Sequence, residues 1–260
     1  MGKFAIGHVL IKTSQLARAV NDFEKLGFTV SYRTDPSKAH NAMIYFQNGS
    51  FLEIYDPKPI NLPNKLILGL LKLLRPLHRE MINRLIYYIK SEDGINDYAL
   101  DSVPSGQAEA NVEEMRQAGV KLSKKINISK RLRDGNKQTW WMAMPQATSI
   151  PFFMSDYIPH TNGHANEHTH ANDALGIDTL VIDVPDLERW VAAYRLIFTD
   201  STISKQNDQC QFTLEKQYKI VLRKAQWHRI SELHLLSANK NEDRLTIATN
   251  LAYGAAIFIN

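Results

Sequence analysis

The chain has a single cysteine in 260 residues, Cys210. No intramolecular disulfide can brace the fold, a usage that fits a reducing cytoplasm. Cys210 lies in the strand-like stretch Gln209-Cys210-Gln211-Phe212, where a buried inert thiol is a simpler reading than a nucleophile. Long apolar runs are also missing. The apolar run Leu66-Ile67-Leu68-Gly69-Leu70-Leu71-Lys72-Leu73-Leu74 is too short to span a bilayer. The start, Met1-Gly2-Lys3-Phe4-Ala5-Ile6, enters a strand-like run at once and lacks the charged and apolar regions of a secretory signal. A soluble, cytoplasmic protein is therefore expected. Net charge is small, +4, and is concentrated. Between Lys65 and Lys90 stand Lys65, Lys72, Arg75, Arg79, Arg84 and Lys90 against Glu80 alone. One basic segment on a near-neutral chain argues against a nucleic-acid partner, and no nucleotide cofactor is expected.

The remaining composition, 44% hydrophobic and 22% charged, is that of a globular chain long enough for one large domain or two ordinary ones. Phe4 to Ile11 reads as a strand. Ser14 offers a helix cap, Leu16, Val20, Phe23 and Leu26 follow at helical spacing, and Gly27 ends the helix. Phe28-Thr29-Val30-Ser31-Tyr32 alternates like a half-buried strand. Ala42 to Phe46 and Phe51 to Tyr55 flank Gln47-Asn48-Gly49-Ser50, a strong hairpin signal. The order is β-α-β-β-β.

That order recurs. Ile95 to Leu100 matches the apolar spacing of Ile6 to Ile11, a helix is expected from Gln107 to Ala118, and Gln138 to Met144 with Ile150 to Met154 complete a second unit. A third opens at Ile177 to Ile182, with a helix from Pro185-Asp186-Leu187-Glu188 to about Phe198 and a hairpin of Phe212 to Leu214 with Tyr218 to Leu222. A fourth opens at Ile230 to Leu235 and stops short at Asn260. Duplicated units of this kind pack on one another. Residues 63–90 stand outside the repeat as a helical insert in which Pro76 separates two helices. Residues 159–174 have a linker's composition. The division expected is a first domain over 1–158 (module one 1–60, module two 93–157), the linker, and a second, degenerate domain over 175–260.

Gly7-His8 followed by Val9-Leu10-Ile11, the helix end Glu24-Lys25-Leu26-Gly27-Phe28-Thr29-Val30, and Asn48-Gly49-Ser50-Phe51-Leu52-Glu53-Ile54 together resemble the vicinal oxygen chelate superfamily. That group includes glyoxalases, extradiol dioxygenases and bleomycin-resistance proteins. Pro151-Phe152-Phe153, and His170-Ala171-Asn172 ahead of Gly176-Ile177-Asp178, resemble markers of its glyoxalase-like domain proteins. The resemblance implies an α+β fold of repeated βαβββ modules, paired into open, cupped mixed sheets with helices outside. It also implies a site in the cup. A divalent metal (Zn, Ni, Mn or Fe) would be held by His8 and Asp97 from the first strands of two modules and by Glu53 from a last strand. Phe153 or a neighbour stands where a further carboxylate is expected. In the second half the first-strand positions are Thr179 and Glu232, so that half reads as metal-free. Such a metal is a Lewis acid toward a substrate with vicinal oxygens, and the implied chemistry is that of a lyase, isomerase or dioxygenase with Glu53 as a catalytic group.

The same residues support a second reading, a non-catalytic small-molecule or drug-sequestering protein of the bleomycin-resistance type. His8 is then a hydrogen-bonded strand histidine and Glu53 a ligand-binding carboxylate. Of Trp140 and Trp141, adjacent on a strand, one should face the cup and stack on a ligand, and the other should face the helices. His160, His164, His168 and His170 read as a solvated linker rather than a metal cluster, with His170 alone reaching for the cup as a ligand-binding residue. The insert is apolar enough to need burial. A lid or a packed element is favoured, a homodimer contact stays open, and a membrane surface is disfavoured.

Overall fold

The computed structural model describes residues 3–58, 62–132, 135–160, 163–239, 245–247 and 252–260. Residues 161–162 of the expected linker, and 240–244 and 248–251 of the fourth unit, lie outside the described residues.

The first unit follows the pattern of its apolar residues. Strand β1 (Phe4–Lys12) is buried along its whole length. Helix α1 (Leu16–Lys25) buries Ala19, Val20 and Phe23 on one face. Ser14 does not cap it. The Ser14 hydroxyl and N–H donate instead to Asp93, and Gln15 takes the cap position without a side-chain bond. Strands β2 (Asn41–Tyr45) and β3 (Phe51–Tyr55) form the expected hairpin, turning at Gly49 with φ +87°, a conformation that glycine adopts without penalty. The alternating stretch Phe28 to Tyr32 forms only one bridge, Ser31 with Met43. Its other polar groups bond the linker: the Thr29 N–H donates to His170 Nδ1 and the Thr29 hydroxyl to the Thr169 carbonyl.

The insert folds as α2 (Asn64–Leu74) and α3 (Arg79–Lys90), separated at Pro76. The second unit comprises β4 (Gly94–Ser102), α4 (Ala108–Gln117), β5 (Ile126–Arg131), β6 (Lys137–Ala143) and β7 (Phe152–Met154). β8 (Ala174–Val184), α5 (Leu187–Arg195), β9 (Thr202–Gln206), β10 (Gln209–Thr213) and β11 (Lys219–Lys224) form the third, with Asp186 accepting a capping bond at the start of α5. β12 (Arg229–Ser237), β13 (Leu245–Ile247) and β14 (Ile257–Ile259) belong to the fourth.

These strands make two mixed sheets of identical plan. The first runs β2-β3-β1-β4-β7-β6-β5 and the second β13-β14-β12-β8-β11-β10-β9. In each, two first strands pair antiparallel at the centre, β1 with β4 and β12 with β8, and each is flanked by a parallel last strand of its own module. This is an α+β architecture of paired βαβββ modules. The backs of both sheets share one core, in which α1, α4 and α5 bury their apolar faces beside Ile6, Val9, Leu100, Leu180 and Leu233. Helix α3 is the exception to helices lying outside. It packs on the concave face of the first sheet, with Tyr88 among Leu10, Ala99, Met144 and Phe152. Among the described residues no helix is long and apolar enough to cross a membrane.

The central pairs are bulged. In the first sheet Gly7 is the extra residue on β1 and Asn96 on β4. A Cβ on Gly7 would lie 2.4 Å from the Asp101 carboxyl, so the strand must be bare there. Gly7→Ala is therefore expected to destabilise the protein by about 1–3 kcal/mol through overpacking. Most of that loss should vanish in a background of Asp101→Ala, where the clashing group is gone. Urea denaturation of the four members of this double-mutant cycle measures the coupling, and additive losses would refute the clash.

Candidate functional site

The bulges fix which residues of the four modules are equivalent. The residue that follows each bulge is His8 on β1, Asp97 on β4, Thr179 on β8 and Glu232 on β12. Two residues further along come Leu10, Ala99, Val181 and His234, and their parallel partners are Glu53, Phe152, Val221 and Phe258. Only module one thus presents both a first-strand histidine and a last-strand carboxylate. The equivalent of Glu53 in module two is Phe152, not Phe153. Side chains alternate along a strand, and Phe153 points into the shared core while Phe152 faces the cup.

His8 and Glu53 come together on the concave face, with His8 Nε2 3.7 Å from Glu53 Oε2. His8 is buried and stacks on Phe51 with ring centroids 4.5 Å apart. Burial, and then the nearby Arg33 charge, push its pKa down to about 3. The imidazole is thus neutral, and its Nδ1 has no hydrogen-bond partner among the described residues. Glu53 is oriented by Asn41, whose amide donates to Oε1 at 2.7 Å, and Asn41 in turn accepts from Lys130 Nζ at 3.1 Å. Burial first, and then the Arg33 charge, lower the Lys130 pKa. Arg33 lies over the Tyr157 ring at 4.6 Å, and its Nη2 is buried with no hydrogen-bond partner among the described residues.

These groups border a cavity of about 240 Å³. Trp140 lines it, along with Leu10, Phe152 and Tyr157. Five of the seven methionines of the chain, Met43, Met81, Met142, Met144 and Met154, complete its apolar wall. Unbranched thioethers repack readily around ligands of different shape. Trp141 faces the other way, against the core, with Lys125 over its ring. The tryptophan pair therefore splits between the two faces of its strand.

Asp97 does not join His8 and Glu53. One of its carboxyl oxygens accepts from both Arg84 Nη1 and the Tyr88 hydroxyl, and the other from the Tyr98 N–H. Burial opposes the Arg84 charge, but Asp97 and Tyr88 outweigh it and the guanidinium is held charged. The pair is buried on both sides, with side-chain exposures of 1% and 3%. His170 also lies away from the cavity. It is buried between Phe28 and Phe46, accepts from the Thr29 N–H, and bonds the Tyr45 carbonyl through Nε2. It clamps the linker onto β2, because a buried imidazole must satisfy both nitrogens. The linker is correspondingly less solvated than its composition suggested. His168 bonds the Phe46 carbonyl and Glu167 accepts from the Ser31 hydroxyl.

A family model described as a glyoxalase-like domain matches residues 6–198. No curated protein matches the chain in sequence. Among solved structures, a hypothetical protein from Staphylococcus aureus matches with a TM-score of 0.76 at 15% identity, covering 99% of each chain. The Mn(II)-bound glyoxalase from Novosphingobium aromaticivorans matches with a TM-score of 0.57 at 10% identity, covering 93% of this chain and 68% of that one. Homoprotocatechuate 2,3-dioxygenase from Arthrobacter globiformis matches with a TM-score of 0.54 at 8% identity, covering 98% and 79%. At these identities the likenesses show the fold, which is that of the vicinal oxygen chelate superfamily. Within it, this chain belongs to the glyoxalase-like domain family.

A divalent metal at this site would need more donors than the cup supplies. His8 and Glu53 suit one, but Asp97 is taken by Arg84 and Tyr88, Phe152 replaces the fourth ligand, and Arg33 adds positive charge beside His8. Among the described residues no group of three or more His, Cys, Asp or Glu could hold a metal ion. The donor set does not fit the four-ligand site.

The neutral His8 has a consequence for stability. Its folded pKa of about 3 lies below the 6.5 of an exposed histidine, so below pH 6.5 the unfolded chain binds a proton that the folded one refuses. Its contribution is intact above pH 6.5 and is lost as pH falls toward 3. Between pH 7.5 and pH 5, His8→Gln is expected to lose about 1–2 kcal/mol less stability than the parent. Denaturant titrations of both proteins at the two pH values test this, and parallel acid limbs would contradict it.

Proposed function

We propose that the chain binds a small molecule bearing an acidic group in the cup of its first sheet. The observation that carries this is the buried, unpartnered Nη2 of Arg33 at the edge of an apolar cavity, with Lys130 beside it. An unpaired buried donor costs about 1–3 kcal/mol, and a carboxylate or phosphate that pairs with it recovers that cost. The ligand's anionic end is held by Arg33 and Lys130. Its aromatic or aliphatic body lies against Trp140, Phe152 and the methionines. His8 and Glu53 at the floor of the cup meet a second polar atom of the ligand.

Thermal-shift titration with aryl and alkyl carboxylates and their matching amides tests this reading. The acids should raise Tm, and Arg33→Met should weaken their binding about tenfold or more, the worth of one charge-assisted hydrogen bond. Amides that bind as well as acids, to parent and variant alike, would refute it.

Membership in the glyoxalase-like family favours a second reading, metal-dependent lyase, isomerase or dioxygenase chemistry with Glu53 as the catalytic group. It requires Asp97 to leave Arg84 and Tyr88, which would strand a buried guanidinium at a penalty of about 3–5 kcal/mol. Protein grown with added Mn, Fe, Zn and Ni, and purified without a His tag, is expected to carry well under one equivalent of metal by elemental analysis. A full equivalent, lost on His8→Ala, would establish the metal reading instead.

A further inference from the structure

The insert that roofs the cup carries an exposed apolar surface. Leu66, Leu70 and Leu73 stand at i, i+4 and i+7 on one face of α2, and they are 61%, 54% and 78% exposed. Leu62 before the helix and Leu77 after it extend the patch, at 42% and 72%. The flank of α2 away from Lys65 and Lys72 buries Ile67, and the helix packs on α3. The apolarity of the insert is thus only partly met by packing. The single buried side chain of α2 is Ile67, and the leucine stripe has no partner among the described residues. An exposed contiguous apolar patch on a folded chain marks an interaction surface.

The charge around the patch selects the partner. Lys65 and Lys72, seven residues apart, share one flank of α2, about a quarter turn from the stripe at 100° per residue. Arg75 and Arg79 follow. No acidic residue occurs between Pro57 and Arg79, while Lys58, Lys65, Lys72, Arg75 and Arg79 all fall there. A second copy of the chain docked patch to patch would bring two like-charged sets of cations into one interface, since a two-fold contact uses the same patch on both copies. An anionic lipid surface offers opposite charge to the cations and acyl chains to the leucines, which is how an interfacial helix binds. We infer that α2 docks this protein on the surface of an anionic membrane, lying in the plane of the interface with Leu66, Leu70, Leu73 and Leu77 inserted below the headgroups. Because α3 follows directly and lines the cup through Met81, Arg84 and Leu85, docking sets the roof of the cup against the bilayer.

Sedimentation of the full chain with vesicles of phosphatidylglycerol and phosphatidylcholine, against phosphatidylcholine alone, tests the inference. Binding to the anionic vesicles is expected, falling at least tenfold in Leu70→Glu/Leu73→Glu. The charge variant Lys65→Gln/Lys72→Gln/Arg75→Gln should lower it as well, as should raised salt. All these side chains are exposed, so unchanged circular dichroism and Tm should accompany the loss. Equal binding to neutral vesicles, or retained binding in both variants, would overturn the proposal. So would a concentration-dependent dimer in sedimentation velocity that Leu70→Glu/Leu73→Glu abolishes, with no vesicle binding by the parent.

Discussion

Arg84 and Asp97 form an ion pair buried in the middle of the first cup, and much of the site follows from it. Two charges taken out of water are tolerated there only because each finds further partners. Asp97 also accepts from Tyr88 and from the backbone, and Arg84 also donates to the Ile150 carbonyl. Since Arg84 and Tyr88 both belong to α3, the pair holds the insert inside the concave face. Helix α3 then covers part of the concave face and becomes one wall of the cavity. The carboxylate that secures the roof is thereby withdrawn from the site. The pair thus narrows the cup and withdraws Asp97 from His8 and Glu53, while Phe152 takes the place of the other expected carboxylate.

The leucines of α2 follow from the same arrangement. α3 is anchored by charge and packs its own apolar side chains on the sheet, so α2 is left to pack chiefly on α3. A helix that is hydrophobic on nearly every side has more apolar surface than one neighbour can cover. The excess is displayed outward as the stripe, with lysines on its flank.

What could be read in the sequence is what is periodic or local. The repeated strand–helix–hairpin order was legible because each unit keeps its apolar spacing, and Gly49 marks its hairpin by a residue type the turn requires. His8 and Glu53 were legible through a family resemblance that covers module one closely. Arg33, Lys130, Asn41 and Tyr157 were not, because they meet only once the sheet curls, and nothing in their own neighbourhoods marks them. Arg84 was visible only as one cation of a basic run. Its pairing with Asp97 links a helix of the insert to a strand of module two, a contact without local signature. His170 misled for the opposite reason. Its local motif is real, but it serves to tie the linker to β2.

The two sheets share one plan, yet among the described residues their concave faces differ in how far their polar groups satisfy one another. On the concave face of the second sheet Arg223 bonds both Asp183 and Glu232, and Glu232 bonds His234, which also bonds Asn260. Those polar groups satisfy one another, and a ligand entering there would have to break bonds before making any. In the first cup the corresponding accounting is incomplete: His8 Nδ1, Arg33 Nη2 and Arg84 Nε remain buried without partners among the described residues. Buried polar groups in native proteins are paired almost without exception. Three such orphans lie on residues that border the first cavity, and the acidic ligand proposed for that cup would pair with the one on Arg33.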